Sequence, residues 1–332
     1  METSEAAPQA DDIYAEALVW DSHAGIFPHP DTDLSGLSHW RAAGVSFVSL
    51  NVVYDVMSWE ETIKVLAAYR TWLEANADKY VIAGTAEDVR QAKRAGKLAV
   101  AFDLEGMNAL DGDLNLVSLY YRLGVRQALF AYNLNNAAGG GCHDEDVGLT
   151  DFGRAVVREM NRVGMLVDCS HTAYRTTMEA MEISSAPVLF SHSNPKALWD
   201  HGRNIRDEQI KACAAGGGVV GVNGLGIFLG PNDTSTGTLV KHVCYLAELI
   251  GPEHVGLGLD YSYADDDLAE GLSARPDYWP PGQLYDTPNI KVAEPKQIAE
   301  ICREVHARGF SATEITGILG GNFLRVASQV WR

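Results

Sequence analysis

Seven groups of polar residues follow directly on short apolar runs in this chain, and their types could do chemistry together. Asp21-Ser22-His23 follows the first run, Asp103-Leu104-Glu105 the third, and Tyr132-Asn133 the fourth. Asp168-Cys169-Ser170-His171 follows the fifth, Ser191-His192-Ser193 the sixth, Asn223 the seventh and Asp260 the eighth. The imidazoles of His23, His171 and His192 with the carboxylates of Glu105 and Asp260 make a nitrogen-and-oxygen donor set suited to zinc. Such a cation lowers the pKa of bound water to about 7 and polarises a carbonyl. One histidine after a strand is commonly a hydrogen-bonded scaffold residue; here the agreement of five separate run ends carries the metal reading. His29, His39, His201, His242, His254 and His306 fall in loops or helices and are read as surface or structural. His143-Asp144-Glu145-Asp146 is read as a solvated turn.

For these residues to meet, the elements before them must end on one face. The apolar runs cover residues 17–20, 45–50, 98–102, 128–131, 165–167, 187–190, 219–222 and 255–259. Uninterrupted runs of this length suit parallel strands buried on both sides. Between them lie amphipathic stretches at 60–76, 151–163, 172–183, 207–215, 238–250 and 295–308, the second opening on Asp151 as a cap candidate. Eight strands alternating with helices predict a single (β/α)8 TIM-type barrel over 1–332, with 1–16 a polar N-terminal extension and 264–293 a long loop. Barrel enzymes keep their active sites at the C-terminal ends of the strands, which is where the polar groups fall. The turn after the first run, Asp21-Ser22-His23-Ala24-Gly25, fits no dinucleotide fingerprint.

Composition narrows the partners. Of 332 residues, 46% are hydrophobic and 21% charged, which supports a large core, and the formal charge is −18. That balance excludes a nucleic-acid partner, which needs a basic stripe, and an anionic membrane surface. The first twenty residues lack the basic start and apolar centre of a secretory signal, and no apolar stretch is long enough for a membrane helix. Five scattered cysteines form no CxxC pair, so a reduced, cytoplasmic protein is expected. A homodimer is compatible with the composition.

The same residues carry a resemblance. From about Val19 to Arg332 the chain resembles the membrane (renal-type) dipeptidases, metal-dependent hydrolases on an amidohydrolase-type barrel. The pieces that carry it are Phe102-Asp103-Leu104-Glu105-Gly106, Val167-Asp168-Cys169-Ser170-His171 and Phe190-Ser191-His192-Ser193. Arg203-Asn204-Ile205, Gly256-Leu257-Gly258-Leu259-Asp260 and Gly320-Gly321-Asn322-Phe323-Leu324-Arg325-Val326 complete them. The resemblance implies that Glu105 bridges two zinc ions, with His171 and His192 on the second and His23 on the first. Asp260 would be the first ion's remaining ligand and the proton shuttle. Arg203 would hold a substrate carboxylate, and Asn223 would line the pocket. The implied substrate is a dipeptide or small N-acyl amino acid, cleaved at its amide bond by metal-activated water.

Two positions depart from the family pattern. A carboxylate expected two residues after His23 is replaced by Gly25, so one zinc is expected and a second is weakened. Asp21 and Asp103 are expected to point away from the site and not to replace it. A histidine expected on the fourth strand is replaced by Tyr132, whose hydroxyl can donate to a developing oxyanion. These departures leave open a specialised hydrolase of another amide or a lactam, a decarboxylase, or a non-catalytic metal-binding barrel.

Overall fold

Parallel pairing organises the chain, and a computed structural model describes it over residues 9–263 and 275–332. The strands are β1 (Trp20–Ala24), β2 (Phe47–Tyr54), β3 (Tyr80–Ile82), β4 (Leu98–Glu105) and β5 (Val125–Leu129), followed by β6 (Leu166–Asp168), β7 (Val188–Leu189), β8 (Val220–Val222) and β9 (Val255–Leu257). β1, β2, β4, β5, β6 and β7 pair in that order, and β8 pairs with β9. A Phe190–Val220 bridge joins β7 to β8. The segment after β9 returns to β1 through Asp260 N to His23 O (3.0 Å) and Gly25 N to Tyr261 O (3.1 Å). The ring of eight strands is thereby closed, the (β/α)8 barrel that the alternation predicts.

The structure adds a strand and moves another. β3 is a ninth strand, paired with Leu98–Val100 on the β4 edge just before β5 takes over at Phe102. Three residues following closely on a helix give no apolar run long enough to show in the sequence. β1 begins where the expected run ends: Val19 O already receives Ser46 N, and the strand itself contains Asp21, Ser22 and His23. Polar residues are tolerated there because each has an internal partner. Asp21 accepts from Trp40 Nε1 (2.8 Å) and Leu259 N (2.8 Å), and Ser22 Oγ donates to Leu257 O (2.9 Å). β2 and β4 likewise run on through Tyr54 and Glu105, so much of the chemistry sits on the last turn of the strands.

The expected helices form at Trp59–Ala75, Asp151–Val163, Tyr174–Ile183, Asp207–Ala215, Thr236–Ile250 and Gln297–Ala307. Thr150, not Asp151, caps the second, its hydroxyl accepting from Gly153 N at 3.0 Å. Within the expected N-terminal extension, Ala10–Glu16 is helical. It buries Ile13 and is tied to the 297–307 helix by an Asp11–Arg303 ion pair (2.8 Å). Trp20 stacks on Phe47 at 3.7 Å, with Phe323 and Trp331 beside them, filling the barrel's N-terminal end. That floor is apolar, and the polar residues collect above it. Of the long loop expected at 264–293, residues 264–274 lie outside the described residues. Residues 275–293 form no helix or strand and contribute one bridge, Leu225–Val292.

Candidate metal centre and active site

Three imidazoles converge on one carboxylate oxygen. Glu105 Oε1, at the end of β4, lies 3.5 Å from His23 Nε2, 3.6 Å from His171 Nε2 and 3.3 Å from His192 Nε2. Asp260 Oδ1 stands 3.6 Å from His23 Nε2. All five residues come together from β1, β4 and the segments after β6, β7 and β9, as the sequence predicts.

Each imidazole is oriented through its other nitrogen. His171 Nδ1 donates to Asn133 Oδ1 (2.7 Å), whose amide nitrogen is committed to Tyr278 O (2.9 Å). His192 Nδ1 donates to Ser191 Oγ (2.6 Å), and that hydroxyl donates in turn to Asp168 Oδ2. His23 Nδ1 faces Asp103 Oδ1 at 3.4 Å. With their protons on Nδ1, His171 and His192 turn lone pairs toward each other, Nε2 to Nε2, at 3.1 Å. Two facing lone pairs are repulsive unless a cation lies against both. His23 Nε2 and Glu105 Oε1, both buried, have no hydrogen-bond partner. This donor set fits a metal ion: Glu105, His171 and His192 form one group of ligand atoms, and His23, His192 and Asp260 another.

The electrostatics point the same way. Burial disfavours a charged His23, but the carboxylates of Glu105, Asp103 and Asp260 outweigh it and push its pKa up to about 10. Burial, with the positive charges of Arg203 and His23 nearby, holds His171 and His192 well below the usual imidazole range. The cavity therefore favours positive charge among its carboxylates while keeping two imidazoles neutral and ready to ligate.

Asp103 corrects one expectation. Residues two apart on a strand share a face, so Asp103 points inward with Glu105 and supports His23 from below; Ser49 Oγ also donates to it (2.5 Å). Asp21 does turn away, toward Trp40. Asn133, Ser191 and Asp168 were visible as polar strand ends, but nothing in their spacing marked them as orienting partners.

Gly25 is fixed by its neighbour. A Cβ there would overlap Asp260 Oδ1 and lie 2.8 Å from the Asp260 carbonyl oxygen. Asp260 fills the space a carboxylate at position 25 would need, so restoring that carboxylate does not restore a ligand. Gly25→Asp is expected to destabilise the protein by about 1–3 kcal/mol without increasing bound zinc, read by thermal melting and metal analysis. A variant of unchanged stability that gains a zinc ion would contradict this.

Tyr132 lies over His171, ring centroids 4.3 Å apart, and its hydroxyl accepts from Trp279 Nε1 (3.2 Å). Asp55, just after β2, holds the Tyr132 backbone amide (2.9 Å) together with Asn108 N and Asn136 Nδ2. Burial pushes the Asp55 carboxyl up to about 6 despite these donors. Gly106, at φ 118°, passes so close to Asp55 that a Cβ would collide with it. The remaining expected residues take other places. Asn223 is buried, donates to Asp260 Oδ2 (3.0 Å) and does not line the pocket. Arg203 is buried beside His192, donating to His192 O (2.7 Å) and Ser193 Oγ (2.9 Å), and it lines a neighbouring polar cleft. The pocket above Glu105, about 680 Å³ counted to its open mouth, is walled by five aromatic residues, two of them (Trp279 and Tyr285) from the 275–293 loop, together with aliphatic residues such as Leu225 and Val292. A loop's aromatics carry no periodic signal, so this lining has no signature in the sequence.

Comparison with known proteins finds relatives over most of the chain. The profile of the membrane dipeptidase family (peptidase family M19) matches residues 24–278. An uncharacterised dipeptidase of Schizosaccharomyces pombe is 32% identical over 241 residues, covering 70% of this chain and 53% of its own length. Dipeptidase tcpJ of Claviceps purpurea is 30% identical over 321 residues, 95% of this chain and 67% of its own. The chain thus spans about half the length of the first of these relatives. The crystal structure of an amidohydrolase from Pseudomonas aeruginosa superposes with a TM-score of 0.89 at 25% identity, covering 98% of this chain and 99% of the other.

Proposed function

Since the chain belongs to the membrane dipeptidase family, we propose that it is a zinc-dependent hydrolase of the amide bond in a dipeptide or small N-acyl amino acid. The observation that carries this reading is the pair of facing imidazole lone pairs, His171 Nε2 and His192 Nε2, beside the unpartnered Glu105 Oε1. Glu105, His171 and His192 would hold one zinc, a three-residue donor set of the kind found in catalytic sites. His23 and Asp260 would hold a second, more weakly because Gly25 adds no oxygen. Bound zinc supplies Lewis acidity and brings the pKa of water to about 7.

The chain's own groups do the rest. Asn223 Nδ2 engages Asp260 Oδ2 and leaves Oδ1 to accept a proton from the attacking water and deliver it to the leaving amine. Tyr132 Oη accepts from Trp279, so its own proton is free to donate to the developing oxyanion. Arg203, with its unpartnered Nε, would hold the substrate carboxylate. The five cysteines are all free thiols, in keeping with a reducing, cytoplasmic location.

The test is a panel of dipeptides and N-acyl amino acids assayed before and after chelation. Hydrolysis is expected to disappear with chelator and return with zinc. No turnover of any member with zinc supplied would overturn the proposal.

A further inference from the structure

His171 stands in the walls of two hollows of opposite character. Above Glu105 the pocket is walled by Tyr54, Tyr132, Leu225, Phe228, Trp279 and Tyr285, and no Lys or Arg is among its described lining residues. Its charged groups are Glu105 and Asp260. The polar cleft carries Lys196, Arg203 and Arg206. Lys196 is paired with Asp200 (2.7 Å), and Arg206 lies over the Tyr174 ring. Arg203 retains N–H groups beyond those given to His192 O and Ser193 Oγ, and its Nε has no partner. The cleft's carboxylates, Asp144 and Asp146, are exposed and already accept from Asn135 N (3.0 Å) and Arg175 N (2.8 Å).

A carboxylate placed among the aromatic walls, away from the metal ligands, would lose its hydration with no Lys or Arg in the described lining to pair with. An apolar or aromatic group there gains from burial and from ring contacts. In the polar cleft the preferences reverse. With the substrate carboxylate held by Arg203 as proposed above, we infer that an aromatic or branched apolar group on the acyl side of the scissile bond occupies the aromatic pocket. The enzyme is then selective for bulk on the acyl side of the scissile bond. This rests on reading the site as an amide hydrolase, so the experiment has a turnover arm and a binding arm.

Phe-Gly and Gly-Phe have the same atoms and charge and differ only in which side carries the ring. With the zinc-loaded protein, kcat/KM for Phe-Gly is expected to exceed that for Gly-Phe and Gly-Gly by about tenfold or more. Phe228→Ala and Trp279→Ala should each bring the Phe-Gly to Gly-Phe ratio toward one. Equal values, or a preference for Gly-Phe, overturn the inference and leave amide hydrolysis standing. In the binding arm, titration calorimetry compares phenylacetylglycine with N-acetylphenylalanine on the protein as purified. Tighter binding of phenylacetylglycine by about tenfold, reduced in Phe228→Ala, supports the inference even if no peptide is hydrolysed. Equal binding of the two in the absence of turnover overturns it.

Discussion

Glu105→Ala is expected to leave the protein with little bound zinc and to cut turnover by more than about a hundredfold, since even partners one bond removed from a metal contribute 10–100-fold. The reason is geometric. One oxygen, Glu105 Oε1, lies within 3.6 Å of the Nε2 atoms of His23, His171 and His192, so its removal takes the only carboxylate from the Glu105/His171/His192 group and leaves His23 with Asp260 and Asp103 alone. Stability should move differently. Glu105 Oε1 is buried and receives no hydrogen bond, so the metal-free variant should melt at or above the temperature of the metal-free parent. Metal analysis after purification without chelator, together with melting of the metal-free forms, checks both parts. A variant that keeps its zinc and its turnover would remove Glu105 from the centre of the site.

Asp260→Asn separates holding a metal from moving a proton. The backbone at Asp260 is left-handed, φ 57°, a conformation asparagine adopts readily. An asparagine oxygen can still accept from Asn223 Nδ2, which now reaches Asp260 Oδ2 at 3.0 Å. The fold and the Glu105/His171/His192 group should therefore survive. What is lost is a group able to accept and release a proton at the pocket wall, and turnover should fall by about 10²–10⁴-fold. Unchanged kcat would end the assignment of Asp260 as the proton carrier. Loss of all zinc would instead make Asp260 a ligand required by both groups.

The barrel was legible because buried parallel strands need apolar runs, and eight such runs separated by amphipathic helices have few other ways to pack. The donor residues were legible for a related reason. Once the runs are parallel, the residues that follow them share one face, and His23, Glu105, His171, His192 and Asp260 do meet there. β3 leaves no signal in the sequence because Tyr80–Ile82 is too short to form a run. Asp103 sits on the Glu105 face against His23, not turned away, because period-two alternation puts residues two apart on the same side of a strand.

What the sequence by itself determined is the set of polar side chains delivered to one mouth of a barrel, because strand periodicity and chain direction are local properties. Tertiary structure alone decided how those side chains are used. Asp260 occupies the space beside Gly25, Asn133 and Ser191 set which imidazole nitrogens are free, and Trp279 and Tyr285 wall the pocket from a distant loop. Apart from Ser191, which adjoins His192 in the chain, these are contacts between residues tens to hundreds of positions apart, governed by side-chain direction and volume in a closed barrel, and no local pattern in the chain encodes them.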